Sequence, residues 1–189
     1  MDFFSAHEMD GERCKALQKL EEATVIAWER ESASVHSPGP VEDPEVLYRQ
    51  MLNPTHYDAT NKILKATAFA DTSDKGGSVN RANLQSYEEA VQAATVRVAQ
   101  INERKPGGAK VDLWEIIELR CQDVRDISTL AQPDLPARRA FAVFDTALED
   151  APSHADICQV APGSATGRSA RSKLLDLANA YLRTREHAA

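Results

Sequence analysis

The stretch LYRQMLNPTHYD, residues 47–58, decides the expected fold because it contains most of a predicted strand and the proline that ends it. Residues 46–52 form a short run of mainly apolar and aromatic side chains, which is typical of a strand. Pro54 ends the run because proline has no backbone N–H to donate to a sheet. The stretch therefore predicts a strand that contains Arg49 and a loop that contains His56.

Three other segments carry helical patterns. In residues 10–31 apolar side chains recur at three- to five-residue steps, which predicts an amphipathic helix with one apolar stripe. Residues 86–103 begin with a capping box, in which the Ser86 hydroxyl and the Glu89 carboxylate each bond a free backbone amide. The apolar spacing near the end of the sequence predicts a third helix over residues 168–185.

Short apolar or alternating runs predict the remaining strands. We expect strands within 63–70, 78–80, 115–121, 140–148 and 154–160. The run AFAVFDTAL, residues 140–148, is mostly apolar and is therefore expected as a buried central strand. Because the elements do not follow a regular βαβ order, the sequence predicts an α+β fold. Its small antiparallel or mixed sheet would pack with three main helices.

The proline-, serine- and glycine-containing stretch SASVHSPGPVEDPE, residues 32–45, divides the expected architecture. We expect an N-terminal amphipathic helix within 1–35, a loop or linker over 36–45, and a single α+β domain over 46–189. A helix beyond a linker is suited to docking, so the N-terminal helix is expected to bind another protein or a second copy of the chain.

The composition limits the classes of function. A net charge of -7 and a pI near 5.3 argue against broad, non-specific nucleic-acid binding. Cys14, Cys121 and Cys158 form no Cys-x-x-Cys pair, so we expect buried, reduced thiols and no metal. The sequence has neither a signal-peptide pattern nor a run of about 18 apolar residues, so a cytoplasmic location is expected.

Two histidines share one local pattern. His56 and His154 each follow a proline by two positions and precede an aspartate, Asp58 or Asp156, by two. A neighbouring acid can orient an imidazole ring for base or metal chemistry, whereas the same spacing on a strand also gives a simple surface hydrogen bond. Both interpretations stay open, and both histidines are candidate ligand-binding residues.

Arg49 is a third candidate because it lies in an otherwise apolar run. A strand arginine in that position must face solvent or contact an anionic partner. The partner would be either a buried aspartate, which makes the arginine structural, or a phosphate, which arginine binds through two parallel hydrogen bonds.

Basic residues cluster on the last predicted helix, namely Arg168, Arg171, Lys173, Arg183 and Arg185. A solvated helix face explains this cluster, and so does contact with an acidic partner or nucleic acid. Arg168 and Arg171 are also candidates to bind an anion, because they follow a glycine-containing loop at a predicted helix N-terminus.

Several of these motifs occur in an order that resembles a known family. They are Tyr48-Arg49-Gln50 with Pro54, TAFAD (67–71), DKGGSVN (74–80) and DTALEDAPSHADI (145–157). The order resembles an uncharacterised family of small bacterial proteins with a Tyr-Arg-Gln-x-x-Pro start, an Ala-Phe pair, a Ser-Val strand after a glycine, and a late Pro-x-His-Ala. The resemblance covers residues 46–160 and implies a bacterial source but no specific activity. The chain departs from the family at Gly77, where a large apolar residue is expected, so altered packing is expected there.

A looser resemblance implies a reaction. ADP-ribosyltransferase-like folds present a strand arginine that grips the phosphates of NAD, then a serine-containing strand, then a catalytic glutamate. Arg49, Ser78 and Glu118 occur here in that order. The resemblance implies that these residues line one cleft, in which the carboxylate stabilises a developing oxocarbenium ion.

Three functions are therefore expected from the sequence. The first is a non-enzymatic interaction or accessory protein of a bacterial multi-gene system, such as host defence or a toxin–antitoxin pair. The second is an ADP-ribosyltransferase-like, NAD-dependent enzyme that uses Arg49, Ser78 and Glu118. The third is a nucleic-acid-binding module that uses the C-terminal helix.

Overall fold

The computed structural model describes residues 13–31, 34–130 and 136–186. The helices of these residues are α1 (Arg13–Leu17), α2 (Glu22–Glu29), α3 (Tyr87–Arg104), α4 (Cys121–Arg125) and α5 (Ser164–Glu186). The strands are β1 (Val46–Asn53), β2 (Tyr57–Asp58), β3 (Ile63–Leu64), β4 (Gly77–Arg81), β5 (Asp112–Arg120), β6 (Phe141–Asp145) and β7 (His154–Gln159). A 3₁₀ segment, Ala66–Ser73, connects β3 to β4.

Five of these strands form one antiparallel sheet in the order β5-β1-β4-β7-β6, and β2 pairs with β3 in a separate hairpin. The predicted α+β fold is confirmed. In the part of the chain that the structure describes, no helix is both long and apolar enough to cross a membrane.

The two faces of the sheet differ in chemistry because successive strand residues point to opposite sides. We call one side the apolar face, because Leu47, Val79 and Ile157 on it pack beneath residues of α5 and the 3₁₀ segment. We call the other side the polar face. It carries Tyr48, Gln50, Ser78, Asn80, Glu118, His154 and Asp156.

Helices cover the two ends of the polar face. Cys14, Leu17 and Val25 of α1 and α2 pack on Phe144 and Cys158, at the β6–β7 end. At the β1–β5 end α3 packs on the sheet, and Tyr87 meets Tyr48 edge-on at 5.9 Å between ring centroids. Between these helices the side chains of Tyr48, Gln50, Ser78, Asn80 and His154 stay partly exposed.

Arginine–carboxylate clusters fasten the connections to the sheet. Arg81 donates to Glu45 at 2.7 Å and to Asp145 at 2.6 Å, and all three side chains are buried. Arg81 also donates to the carbonyls of Gly39 and Pro40. The segment predicted as a linker over 36–45 is therefore tied to β4 at Gly39, Pro40 and Glu45, and the Ser37 hydroxyl ties it to Asp145 of β6.

A second cluster surrounds the buried Glu29 of α2. Its carboxylate accepts from Arg125 at 2.9 Å, from Arg139 at 2.6 Å and from the backbone amide of Val143 at 2.6 Å. One acidic side chain thus joins α2 to α4 and to strand β6.

The prediction of one continuous helix over 10–31 is wrong in the described residues, where the chain forms α1 and α2 with a turn between them. The apolar spacing explains the break, because Leu20 and Val25 are five residues apart and cannot share one stripe of a 3.6-residue helix. Each short helix instead buries its own apolar residues against the sheet. Residues 1–12 of the expected arm lie outside the described residues.

Two strand predictions need correction. The run 140–148 forms β6, which is an edge strand and not a central one, although all five of its residues are buried. Within 63–70 only Ile63–Leu64 is extended, and the rest enters the 3₁₀ segment. Hydrogen bonds from Thr72 to the Phe69 carbonyl and from Ser73 to the Ala70 carbonyl support that tight turn.

Other predictions are confirmed. The capping box at the start of α3 forms both of its hydrogen bonds: the Ser86 hydroxyl accepts from the Glu89 amide, and the Glu89 carboxylate accepts from the Ser86 amide. Cys14, Cys121 and Cys158 are free and buried.

Gly77 does not leave a gap in β4, contrary to the altered packing expected there. A Cβ atom at Gly77 would lie 2.7 Å from Thr72 Cγ2, so the 3₁₀ segment occupies the space of the missing side chain.

Candidate functional site on the polar face

The strand register aligns polar residues in two rows across the polar face. Glu118, Tyr48, Asn80 and His154 are direct neighbours on successive strands and form the first row. In the second row Ser78 lies opposite Asp156 on β7. Continuing the β1–β4 register by two residues places Gln50 on the other side of Ser78. The rows bring together groups that are far apart in the sequence.

A series of hydrogen bonds links Ser78 to Asp156. The Ser78 Oγ lies 3.3 Å from His154 Nε2, and His154 Nδ1 lies 2.8 Å from Thr146 Oγ1. The Thr146 hydroxyl in turn lies 2.9 Å from an oxygen of the Asp156 carboxylate. Because an ionised carboxylate only accepts, the Thr146 hydroxyl donates to Asp156 and must accept from His154.

This direction of donation fixes the tautomer of His154. Nδ1 carries the proton, which it shares with Thr146 Oγ1 and with the Thr146 carbonyl 3.1 Å away. In the neutral imidazole Nε2 is then the nitrogen without a proton, and it faces the Ser78 hydroxyl. A serine that donates to an imidazole held in this tautomer is the arrangement that activates a hydroxyl nucleophile.

Asp156 is itself fixed on two sides. It is 1% exposed and forms an ion pair with Arg13 of α1, which compensates its buried charge. Gly76 approaches it closely, since a Cβ at Gly76 would lie 2.9 Å from Asp156 Cβ. Gly76 also has a φ of +107°, a conformation that side-chain-bearing residues rarely adopt. Any side chain at Gly76 would therefore displace the carboxylate.

Four polar side chains near Ser78 are not engaged in side-chain hydrogen bonds within the described residues. Among the residues that the structure describes, the side chains of Tyr48, Gln50, Asn80 and Glu118 form no hydrogen bond with one another or with other side chains, and all four are half-exposed. Burial, followed by the charges of Glu118 and Glu88, raises the pKa of Tyr48. Tyr48 is thus a neutral hydroxyl beside a carboxylate. These side chains are free to bind a polar molecule.

Arg49 lies on the apolar face and is not a ligand-binding residue of this site. Its guanidinium donates to both oxygens of Asp71, at 2.9 and 2.8 Å, and to the carbonyls of Ala68 and Ser78. It is 5% exposed. The structural alternative, a partner aspartate, is therefore the correct one.

The predicted cleft of Arg49, Ser78 and Glu118 is also wrong. Arg49 is paired with Ile117 in the register, whereas Glu118 is paired with Tyr48. Paired residues of antiparallel strands point to the same face, so Arg49 and Glu118 point to opposite faces. Ser78 and Glu118 share the polar face without Arg49.

His56 and His154 do not meet. The His56 ring accepts from the backbone amide of Leu52 at the far end of β1, whereas His154 lies in the row of Tyr48. Four strand residues separate these positions by about 13 Å, and two strand spacings add about 10 Å across the sheet. Burial and then the charge of Arg49 lower the pKa of His56 to about 4, so it is neutral near pH 7.

The two His-x-Asp patterns also differ in outcome. Asp58 bonds to Thr60 and Asn61 and does not touch His56. Asp156 acts on His154 through Thr146, a residue that the sequence pattern did not indicate.

The basic residues of α5 do not join the polar face. Arg171 donates to the Gln159 side chain at 2.7 Å, Lys173 donates to the Ser128 carbonyl, and Arg185 pairs with Glu115. Arg168 is exposed. Arg168 and Arg171 therefore do not converge on one anion with Ser78 or His154.

Sequence reasoning named Ser78 and His154 but missed Thr146, Asn80, Gln50 and Tyr48 as their neighbours. The i, i+2 alternation in β4 and β7 is the signal that could have placed Ser78 with Asn80 and His154 with Asp156 on one face. The pairing of these strands with each other has no local signal.

No protein-family model, no curated protein and no solved structure matches this chain. The described residues also hold no group of three or more His, Cys, Asp or Glu side chains placed to bind a metal ion.

Proposed function

We propose that the polar face is the active site of a hydrolase or acyltransferase in which Ser78 is the nucleophile and His154 is the general base. The observation that carries this proposal is the series Ser78–His154–Thr146–Asp156, with 3.3, 2.8 and 2.9 Å between successive polar atoms. A buried carboxylate that orients an imidazole, which in turn accepts from a hydroxyl, is the recurring arrangement of nucleophilic catalysis. Here Thr146 stands between the acid and the imidazole.

In the proposed reaction, Ser78 Oγ attacks the carbonyl carbon of an acyl substrate and its proton passes to His154 Nε2. The new C–O bond forms while the carbonyl π electrons move onto the substrate oxygen. Collapse of this intermediate breaks the bond to the leaving group, which takes the proton from His154. Water or an alcohol then attacks the acyl-Ser78 ester by the same steps, and the proton returns to Ser78.

The neighbouring side chains suit this chemistry. Gln50 and Asn80 flank Ser78 on the polar face and carry amide N–H groups that can donate to the developing oxyanion. Tyr48 and Glu118 extend the polar surface away from Ser78 and can bind hydroxyl or amine groups of a substrate. Neither row contains an arginine or lysine, so the site suits a substrate without a phosphate at this position.

The three functions expected from the sequence have less support. The docking hypothesis depended on an available apolar stripe, and Cys14, Leu17 and Val25 pack within the chain. The NAD-dependent hypothesis needed Arg49 beside Glu118, but the two residues point to opposite faces. The nucleic-acid hypothesis needed Arg171 and its neighbours on α5, and Arg171 is engaged with Gln159.

A fluorophosphonate probe tests the proposal without knowledge of the substrate. Ser78 Oγ would bond to phosphorus and expel fluoride, and peptide mass spectrometry would locate the added mass on Ser78. We expect Ser78→Ala to abolish the label. We expect His154→Gln to slow labelling at least about 100-fold, which is the lower range for loss of a general base.

Ser172→Ala is the matched control because Ser172 is exposed on α5, away from the polar face. It should label like the unchanged chain, and the melting temperatures of all variants should be compared to confirm folding. A folded, unchanged chain that takes no label at Ser78 would overturn the proposal. So would labelling that survives in Ser78→Ala at the same rate.

A further inference from the structure

A second site lies away from the polar face, between the first turn of α5 and the start of α2. Residues 128–130, Pro136 and Arg138 complete its wall. These elements enclose a cavity of about 440 Å³. Part of its wall is apolar, from Leu130, Pro136 and Pro162. The remaining wall is polar and includes the side chains of Arg138, Thr129, Thr166, Ser169, Glu21 and Glu22.

Arg138 differs from the other arginines that pack against the sheet. Arg13, Arg49, Arg81, Arg125 and Arg139 each form an ion pair with a carboxylate. Arg138 forms none with any residue that the structure describes. Its Nη2 reaches only the carbonyls of Leu20 and Val160, at 3.5 and 3.4 Å, which are long for hydrogen bonds.

The rest of the Arg138 guanidinium is also under-used. Its Nε is buried and has no hydrogen-bond partner in the described part of the chain, and its Nη1 forms no hydrogen bond there either. A partly buried cation without an anionic partner is unfavourable, and an oxyanion bound in the cavity would supply acceptors to the guanidinium N–H groups that line it, although not to the buried Nε. Within the described ranges, Arg138 therefore lacks the carboxylate partner that each other arginine of this group has.

Hydroxyl groups beside Arg138 would add donors to an oxyanion. Thr129 Oγ1 accepts from the backbone amide of Arg138 at 3.0 Å, so its own proton is available to a ligand. Thr166 and Ser169 present further hydroxyls to the cavity.

The acidic groups at the cavity restrict the choice of ligand. Glu22 accepts from the backbone amide of Arg139 at 2.7 Å, and Glu21 is exposed. Neither forms an ion pair with Arg138. They favour a ligand that carries hydrogen-bond donors in addition to its anionic group.

We infer that this cavity binds a small molecule whose carboxylate or phosphate is held by Arg138, with its apolar part against Leu130, Pro136 and Pro162. The cavity volume is within the range of small-molecule sites. The shared chemistry is an oxyanion attached to a compact apolar body. The site is separate from Ser78 and does not depend on the proposed catalysis.

Benzoate and phenyl phosphate test the inference on the full chain, with benzamide as the neutral analogue, by isothermal titration calorimetry. We expect at least one of the two anions to bind saturably, and benzamide to bind at least about tenfold more weakly. Stronger binding of phenyl phosphate would assign the site to phosphate esters, and stronger binding of benzoate would assign it to carboxylates.

Arg138→Gln should weaken binding of the preferred anion at least about tenfold, because the charge-assisted bonds are lost. Arg168→Gln is the matched control, since Arg168 is an exposed arginine near the start of α5 that does not line the cavity. Its affinity should stay within about twofold. Equal affinity in Arg138→Gln and the unchanged chain would overturn the inference, as would an absence of saturable binding of both anions.

A second variant keeps the test valid if Arg138→Gln does not fold. Ala165 is exposed on the first turn of α5 and lines the cavity, so Ala165→Trp should fill it without removing Arg138. This variant should lose anion binding, and undiminished binding would contradict the cavity as the site. Ser78→Ala should bind the anion normally, which separates failure here from failure of the proposed catalytic function.

Discussion

The two faces of the sheet use polar groups in opposite ways. On the apolar face Arg49 and Arg81 are buried: Asp71 of the 3₁₀ segment neutralises Arg49, and Arg81 pairs with Glu45 before β1 and with Asp145 of β6. On the polar face, Gln50 and Asn80 are half-exposed and form no side-chain hydrogen bond within the described residues. Buried charge holds the connections of this fold in place, whereas uncommitted polar groups surround Ser78. Substitutions on the two faces should therefore affect different properties.

The largest expected effect tests the role of buried charge. Arg81→Met would leave Glu45 and Asp145 buried without a cation, which should lower the free energy of unfolding by about 3–5 kcal/mol. Urea denaturation followed by circular dichroism measures this loss. Arg168→Met removes an exposed arginine and serves as the control. A loss below about 1 kcal/mol for Arg81→Met would contradict the stabilising role of the ion pairs that Arg81 forms with Glu45 and Asp145.

The second prediction concerns the contact of β4 with the 3₁₀ segment. Gly77→Ala would place a Cβ 2.7 Å from Thr72 Cγ2 and should cost about 1–3 kcal/mol through overpacking. Thr72→Ser removes that methyl group but keeps the hydroxyl that donates to the Phe69 carbonyl. The double variant should therefore recover much of the loss in a denaturation experiment. If it recovers nothing, the clash with Thr72 is not the cause.

The third prediction separates the two histidines. The pKa of His56 is lowered to about 4, so the unfolded chain, with an ordinary histidine pKa near 6.5, binds more protons between these values. Stability should consequently fall as the pH drops from about 6.5 towards 4, by about 1–2 kcal/mol once partial solvent screening is included.

Urea midpoints at several pH values in this window measure the effect. His56→Gln should show a shallower decline than the unchanged chain, because it removes the group that protonates on unfolding. An identical slope in the two proteins would contradict the link to His56. Other titrating groups cancel in this comparison, since both proteins contain them.

The smallest expected effect is on the polar face. Gln50→Ala and Asn80→Ala should each change the free energy of unfolding by less than about 0.5 kcal/mol, because these half-exposed side chains make no internal hydrogen bond. Chemical denaturation measures this difference. A loss above about 1.5 kcal/mol in either variant would show that the polar face stabilises the fold and is not free for a ligand.

Local signals allowed the sequence to predict part of this fold. The capping box at Ser86 and Glu89 and the proline at the end of β1 act within a few residues, and both features occur as expected. The break between α1 and α2 was missed because the five-residue step between Leu20 and Val25 was taken as part of one continuous apolar stripe. The edge position of β6 was missed because α2 and α4 cover it, so that it has the apolar pattern of an inner strand.

The site was less accessible from the sequence because its contacts are long-range. Ser78 and His154 are 76 residues apart, and only the pairing of β4 with β7 brings them together. The partner of Arg49, Asp71, is likewise 22 residues away, just beyond the segment 63–70 that was expected to be a strand. Residue types could be proposed from the sequence, but their sheet face depends on strand register, and a shift of one residue reverses the face.

The strand order also has a consequence for synthesis on the ribosome. β1 and β4 can pair once residue 81 has emerged, but their outer neighbours β5 and β7 are complete only at residues 120 and 159. An amphipathic pair of strands with two unpaired edges would therefore be exposed while the remaining half of the chain is translated. Chaperone contact with the nascent chain is expected to begin after β4 emerges and to end with β7, a window that ribosome-arrested truncations can map.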